Sequence, residues 1–117
     1  MTTNFSLRAG EYLPVLVTIT GLPLAKCASA VWLACDGLPP SIVLQKASGD
    51  GGITFDTTTG TDGNPATLCT FYIVADDTSA LGGVYPWEFW ATDTYGNSIP
   101  IAEGNMTVNP SLLSAEP

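Results

Sequence analysis

Histidine is absent from this chain of 117 residues, and cations are scarce: Arg8, Lys26 and Lys46 stand against eleven acidic residues, for a net charge of −8. The commonest general base and metal ligand is therefore missing. Three scattered cations cannot neutralise a row of phosphates, so direct nucleic-acid binding and attraction to a membrane surface are not expected. Charged residues make up 12% of the sequence and hydrophobic ones 45%, against an ordinary charged share of about 25%. A small domain with so few charges has trouble covering its own surface, and part of that surface is expected to lie against another chain. No apolar run approaches the ~18 residues of a membrane-spanning helix. The opening MTTNFSLRAG lacks the basic-then-apolar layout of a secretion signal. The length suits one hydrophobic core, a single domain over 1–117 with a patternless tail from 109 to 117.

Three cysteines, Cys27, Cys35 and Cys69, form no CxxC pair. Without histidine they cannot complete a structural zinc site unless a carboxylate joins them. Buried free thiols acting as small hydrophobes are the leading reading. One disulfide, within or between chains, is the alternative, and the sequence does not choose the pair.

What the chain does have is a succession of short β-like runs with almost no helical periodicity. Tyr12 to Thr20 is rich in β-branched residues, with Leu13, Val15, Val17 and Ile19 on one face. Pro14 near its start suggests an edge or a strand entry. Ala28 to Cys35 reads as a buried strand bearing Trp32, closed by Asp36-Gly37 and Pro39-Pro40, and Ser41 to Ala47 starts the next. A short strand, Ile53 to Asp56, precedes Thr57 to Pro65, read as a loop from its polar, Gly-rich composition. Thr67 to Val74 is apolar on both faces and is expected to be central. Ala75 to Leu81 fits one helical turn capped by Asp76 or Asp77. Val84 to Asp93 alternates, Tyr95-Gly96-Asn97 is a hairpin signal, and Ser98 to Ile101 and Asn105 to Val108 complete the set. The expected fold is all-β: one immunoglobulin-like sandwich of seven to eight antiparallel strands with one short helical turn. Its core is expected to hold Val15, Val17, Ile19, Trp32, Leu68, Phe71, Ile73, Tyr85, Trp87 and Phe89.

The chemical inventory is thin. No nucleophile and base share a recognisable local setting, so catalysis is not expected and no catalytic residue is assigned. Asp56, Asp62 and Asn64 imitate a calcium loop, but Thr58 and Gly60 fall where ligand side chains belong, and ordinary turn chemistry is favoured. No cofactor or metal is expected. The aromatics say more. On an alternating strand Trp87 and Trp90 point to opposite faces. With Tyr85, Trp87 and Phe89 in the core, Trp90 lies outward beside Glu88, and these two are the interface candidates. Cover of Trp90 by the protein's own loops is the competing reading.

Three segments resemble a family of small tailed-bacteriophage virion proteins related to the N-terminal domain of phage baseplate upper proteins. They are Phe5 to Thr20, Ala28 to Gly37 after the turn at Gly21 to Leu24, and Asp76 to Leu112. The resemblance implies an immunoglobulin-like sandwich, a structural role in the particle, and no catalytic residues. It implies other virion proteins as partners, many copies per particle, and assembly in the host bacterial cytoplasm into a virion. Tail or baseplate mounting and capsid decoration both remain open. The alternative is a carbohydrate- or receptor-binding sandwich that uses exposed aromatics.

Overall fold

Alternation of apolar and polar side chains becomes eight strands in two packed sheets. The computed structural model describes residues 3–37 and 40–110; Pro39 and most of the patternless tail, 111–117, lie outside them. The strands are β1 (Phe5–Arg8), β2 (Leu13–Ile19), β3 (Cys27–Asp36), β4 (Ser41–Ala47), β5 (Thr54–Thr59), β6 (Pro65–Ile73), β7 (Gly83–Asp93) and β8 (Ser98–Asn109), with a four-residue helix α1 (Ala75–Thr78) between β6 and β7. One sheet has the order β1-β8-β7-β3-β4 and the other β2-β6-β5. A five-stranded sheet packed on a three-stranded one in this order is the immunoglobulin arrangement with an added strand, β4, beside β3. None of the helices among the described residues is long and apolar enough to cross a membrane.

Every strand pair is antiparallel except β1 with β8, which runs parallel, Phe5 opposite Met106 to Arg8 opposite Asn109. The four-residue β1 was not legible as a strand. It is too short to show a period, and it is held by the edge of β8 rather than by a pattern of its own. Its entry is fitted closely: a Cβ at Gly104 would collide with the Thr3 carbonyl, and Thr3 N donates to Glu103 O.

Two boundaries differ from expectation. Thr57, Thr58 and Thr59 continue β5 and pair with Thr67, Ala66 and Pro65, because β-branched threonine suits a half-exposed strand despite its polarity. Only residues 60–64 turn, with Gly63 at φ +80 and Asn64 N bonded to Asp62 Oδ1. Neither Asp76 nor Asp77 is the residue at which α1 is capped. That position is Val74, and Asp77 reaches back to accept the Val74 N–H at 2.8 Å, while its other contact is Lys46 Nζ at 2.8 Å.

The core is an aromatic layer joining the sheets. Trp32 of β3 lies 5.1 Å from Phe71 of β6 and 6.3 Å from Trp87 of β7, ring centroid to centroid. Phe71 stacks on Phe89 at 6.4 Å, and Phe5 meets Trp87 at 6.0 Å. Such pairs add roughly 0.5–1.5 kcal/mol each beyond burial. Tyr85 opens β7 with its hydroxyl folded back onto Gly82, donating to the carbonyl at 2.9 Å and accepting from the N–H at 3.0 Å. This is the tyrosine corner of immunoglobulin sandwiches; the position two residues on, where antibody domains place a cystine sulfur, carries Trp87. The buried threonines are satisfied too: Thr67 donates to Leu22 O, and Thr78 accepts from Gly10 N.

Three expected core residues are placed differently. Leu68 is half-buried and belongs to the outer face of β6, where it pairs with Thr18, and Cys69 fills the core beside it. An apolar residue on each face of β6 hid which one pointed inward. Val15 and Val17 point inward but are only half-buried, because β2 is the edge strand that Pro14 suggested. Met106, Val108 and Leu7 complete the core at the β1–β8 seam.

Trp87→Ala is expected to cost about 3–5 kcal/mol in a denaturant titration, through lost burial plus the cavity. Trp87 Nε1 has no hydrogen-bond partner, so Trp87→Phe sacrifices no bond and should stay below about 2 kcal/mol. A loss below roughly 1 kcal/mol for the alanine variant contradicts this account of the core.

Candidate functional site

On the outer face of the five-stranded sheet, alternation along β7 sends Glu88 and Trp90 outward while Trp87, Phe89 and Ala91 go in. Glu88 is exposed and Trp90 half-buried, and the two side chains are joined: Trp90 Nε1 donates to Glu88 Oε2 at 3.1 Å. Both interface candidates therefore fall on one surface and form one unit. The indole is half-buried, and its Nε1 contact is a carboxylate that fixes its orientation.

The neighbouring strand adds a second carboxylate. Glu103 of β8 stands directly opposite Glu88, and Pro100 opposite Trp90. Between them the register shifts by one residue: Phe89 pairs with Ala102, leaving Ile101 as the extra residue of a bulge. Counting outward from the hairpin would have set Ala102, not Glu103, across from Glu88. The bulge makes the acidic pair, and only the register could have revealed it. Like charges placed directly opposite destabilise a sheet, and Lys46–Asp77 is the ion pair seen among the described residues, so neither glutamate is neutralised there. Two shallow clefts meet at this pair. One, of about 240 Å³, is lined by Trp90, Pro100 and Ile101 with both glutamates; the other, of about 530 Å³, runs from the same glutamates to Leu33, Cys35 and Asn105.

Other candidate groups are occupied locally. Asp56 Oδ1 accepts the Thr57 N–H and Asp62 Oδ1 the Asn64 N–H, which is turn chemistry. Among the described residues no three His, Cys, Asp or Glu side chains gather as a metal site would need. Asp93 holds the β7–β8 hairpin: its carboxylate accepts from the backbone and side chain of Asn97 and from Tyr95 N, bonds that lower its pKa, the Asn97 backbone bond contributing most. All three cysteines are free. Burial raises the Cys27 thiol pKa, and it pushes Cys69 up to about 12, with Cys27 adding to the shift.

No protein-family model matches the chain, and no curated protein matches it. Among solved structures it is similar to the sialic acid binding region of a Streptococcus sanguinis SK1 adhesin, bound to 3'sLn, with 17% identity and a TM-score of 0.49. The likeness covers 97% of this chain but 30% of that one.

The thiols give a pH test. Below the ordinary thiol pKa of 9.0 Cys69 is protonated folded or unfolded and contributes nothing to pH dependence. Above it the unfolded thiol ionises and the folded one does not. Stability should therefore fall as pH rises from 9.0 towards about 12, by at most about 1.4 kcal/mol per pH unit from this group. Denaturant titrations of the protein and of Cys69→Ala across that range check it. Parallel slopes for the two would remove Cys69 as the cause.

Proposed function

We propose that this chain is a non-catalytic recognition module that binds a neutral carbohydrate on the outer face of its five-stranded sheet. One observation carries the reading: Trp90 is fixed by Glu88, with Glu103 opposite on the next strand, at the junction of two open clefts. A half-exposed indole supplies an apolar surface with little conformational entropy to lose. Two carboxylates accept hydrogen bonds from adjacent hydroxyls, and ionised acceptors make such bonds roughly twice as strong as neutral ones. A site built to bond hydroxyls discriminates sharply against ligands that lack them. The same carboxylates, on a chain of net charge −8, repel anionic sugars, so the ligand class is neutral rather than sialylated or sulfated.

A second reading is favoured by the other sheet, whose outer side exposes Leu16, Tyr72 and Val74, with Tyr12 stacked on Tyr72 at 5.7 Å. Apolar surface of this kind suits repeated assembly contacts, the role implied by the resemblance to tailed-phage virion proteins, whether on the tail, baseplate or capsid. Under that reading Leu16→Ser weakens incorporation into particles, whereas Trp90→Ala has no such effect.

A glycan array probed with the protein, Trp90→Ala and Glu88→Gln decides the first reading. Neutral oligosaccharides should be retained by the unaltered protein and bound at least tenfold more weakly by either variant, with sialylated ligands not retained. Binding that survives Trp90→Ala, or a preference for anionic glycans, overturns it.

A further inference from the structure

On the side of the sandwich away from β4 and β5, the two sheets are not closed against each other along their whole length. β2 is the outermost strand of the smaller sheet, and its far side has no partner among the described residues. Across the gap, β1 covers β8 from Met106 to Asn109, and Thr3 N reaches Glu103 O, but among the described residues the beginning of β8, from Ser98 to Ala102, pairs with β7 alone. Between these two edges runs a cleft of about 590 Å³ that reaches the core aromatics.

Three properties of the cleft describe its occupant. Its walls are mainly apolar: Val15, Val17 and Ile19 from β2, Ile99 and Ile101 from β8, with Trp32 and Trp87 at its base; threonines are its polar side chains, and no charged residue lines it among the described residues. One side is a free strand edge whose backbone donors and acceptors invite pairing. Pro14 lacks an N–H and so fits the open side of the ladder, which places the N–H groups of Leu16 and Thr18 on that side too. Charged side chains, the usual guard of an exposed edge, are absent from β2 altogether. Trp87 at the base is 6% exposed, and its buried Nε1 has no partner among the described residues.

We propose that this cleft is a strand-acceptor site, in which an uncharged, extended segment of another protein pairs with the free edge of β2 and seats its alternate apolar side chains over Trp32 and Trp87. Backbone bonds to β2 give affinity, and the pocket accepts every second side chain, the general logic of β-augmentation. The uncharged lining selects a segment without charges at its inward positions. A second copy of this chain is the poorer occupant, because each copy carries −8 and would approach its like. The site shares Pro100, Ile101 and Ala102 with the cleft beside Trp90 but is bounded by β2 rather than by Glu88 and Glu103, and it does not depend on the carbohydrate reading.

The test uses the full chain carrying Trp90→Phe, so that Trp32 and Trp87 are the remaining indoles. Its probe is a capped hexapeptide of alternating threonine and valine; the control peptide has glutamate in place of each valine. The expected result is a saturable change in indole fluorescence with the first peptide alone, accompanied by slowed hydrogen exchange at the Leu16 and Thr18 amides. Thr18→Pro, which removes one outward donor, should weaken the response at least tenfold. Ile101→Asp, which alters the opposite wall and leaves β2 intact, should do the same, so a folding defect in one variant does not decide the matter. No saturable response, an equal response to the glutamate peptide, or full binding by both variants overturns the proposal. So does a dimer of the free protein in which those two amides are already protected, since the edge would then belong to a second copy.

Discussion

The contact between Trp32, Phe71 and Trp87 is what the rest of this molecule hangs on. Phe71 of the smaller sheet packs on Trp32 of the larger, and Trp32 in turn on Trp87, whose strand also carries Trp90 and Glu88. Trp87 points inward and Trp90 outward on the same strand, so the packing of the first sets the position of the second. Tyr85, tied to Gly82 at the start of β7, pins the strand at one end, and Asp93 with Asn97 pins it at the other. A surface side chain at the middle of such a strand is presented by a rigid support, which is what a recognition site requires.

Charge organises the surface as firmly as the aromatics organise the core. Of the three cations, Lys46 is committed to Asp77 and Lys26 sits 5.5 Å over the Tyr95 ring. Most carboxylates have no cation to neutralise them, and two of them face each other at Glu88 and Glu103. The acidic outer face and the uncharged cleft beside β2 are thus two surfaces of opposite character, and they suit chemically different ligands.

The alternation of β7 was legible because Tyr85, Trp87 and Phe89 are large and their intervening neighbours are not all apolar; it carried the inward and outward assignment of Trp87 and Trp90 correctly. Pro14 offered an edge or a strand entry for β2, and the sheet order decides for the edge. What could not be read depended on partners distant in sequence. β1 exists because β8 offers it an edge. Leu68 and Cys69 are adjacent and both apolar, so the facing of β6 rested on its register with β2. Glu103 joined the candidate site through a one-residue bulge near Ile101 that no local signal in the sequence marks. Strand existence is a local property and strand register is not; the site is built on register.

Replacing a cystine by an indole at the centre of the sandwich has a consequence for where such a module can work. Antibody-type domains rely on a covalent tie whose survival depends on an oxidising environment. Here no cystine joins the sheets, which meet through buried aromatic contacts, and all three cysteines are free thiols. The packing of one sheet on the other consequently does not rest on the thiol–disulfide poise around it. No reductant can unlock the contact between the sheets, because no disulfide holds it.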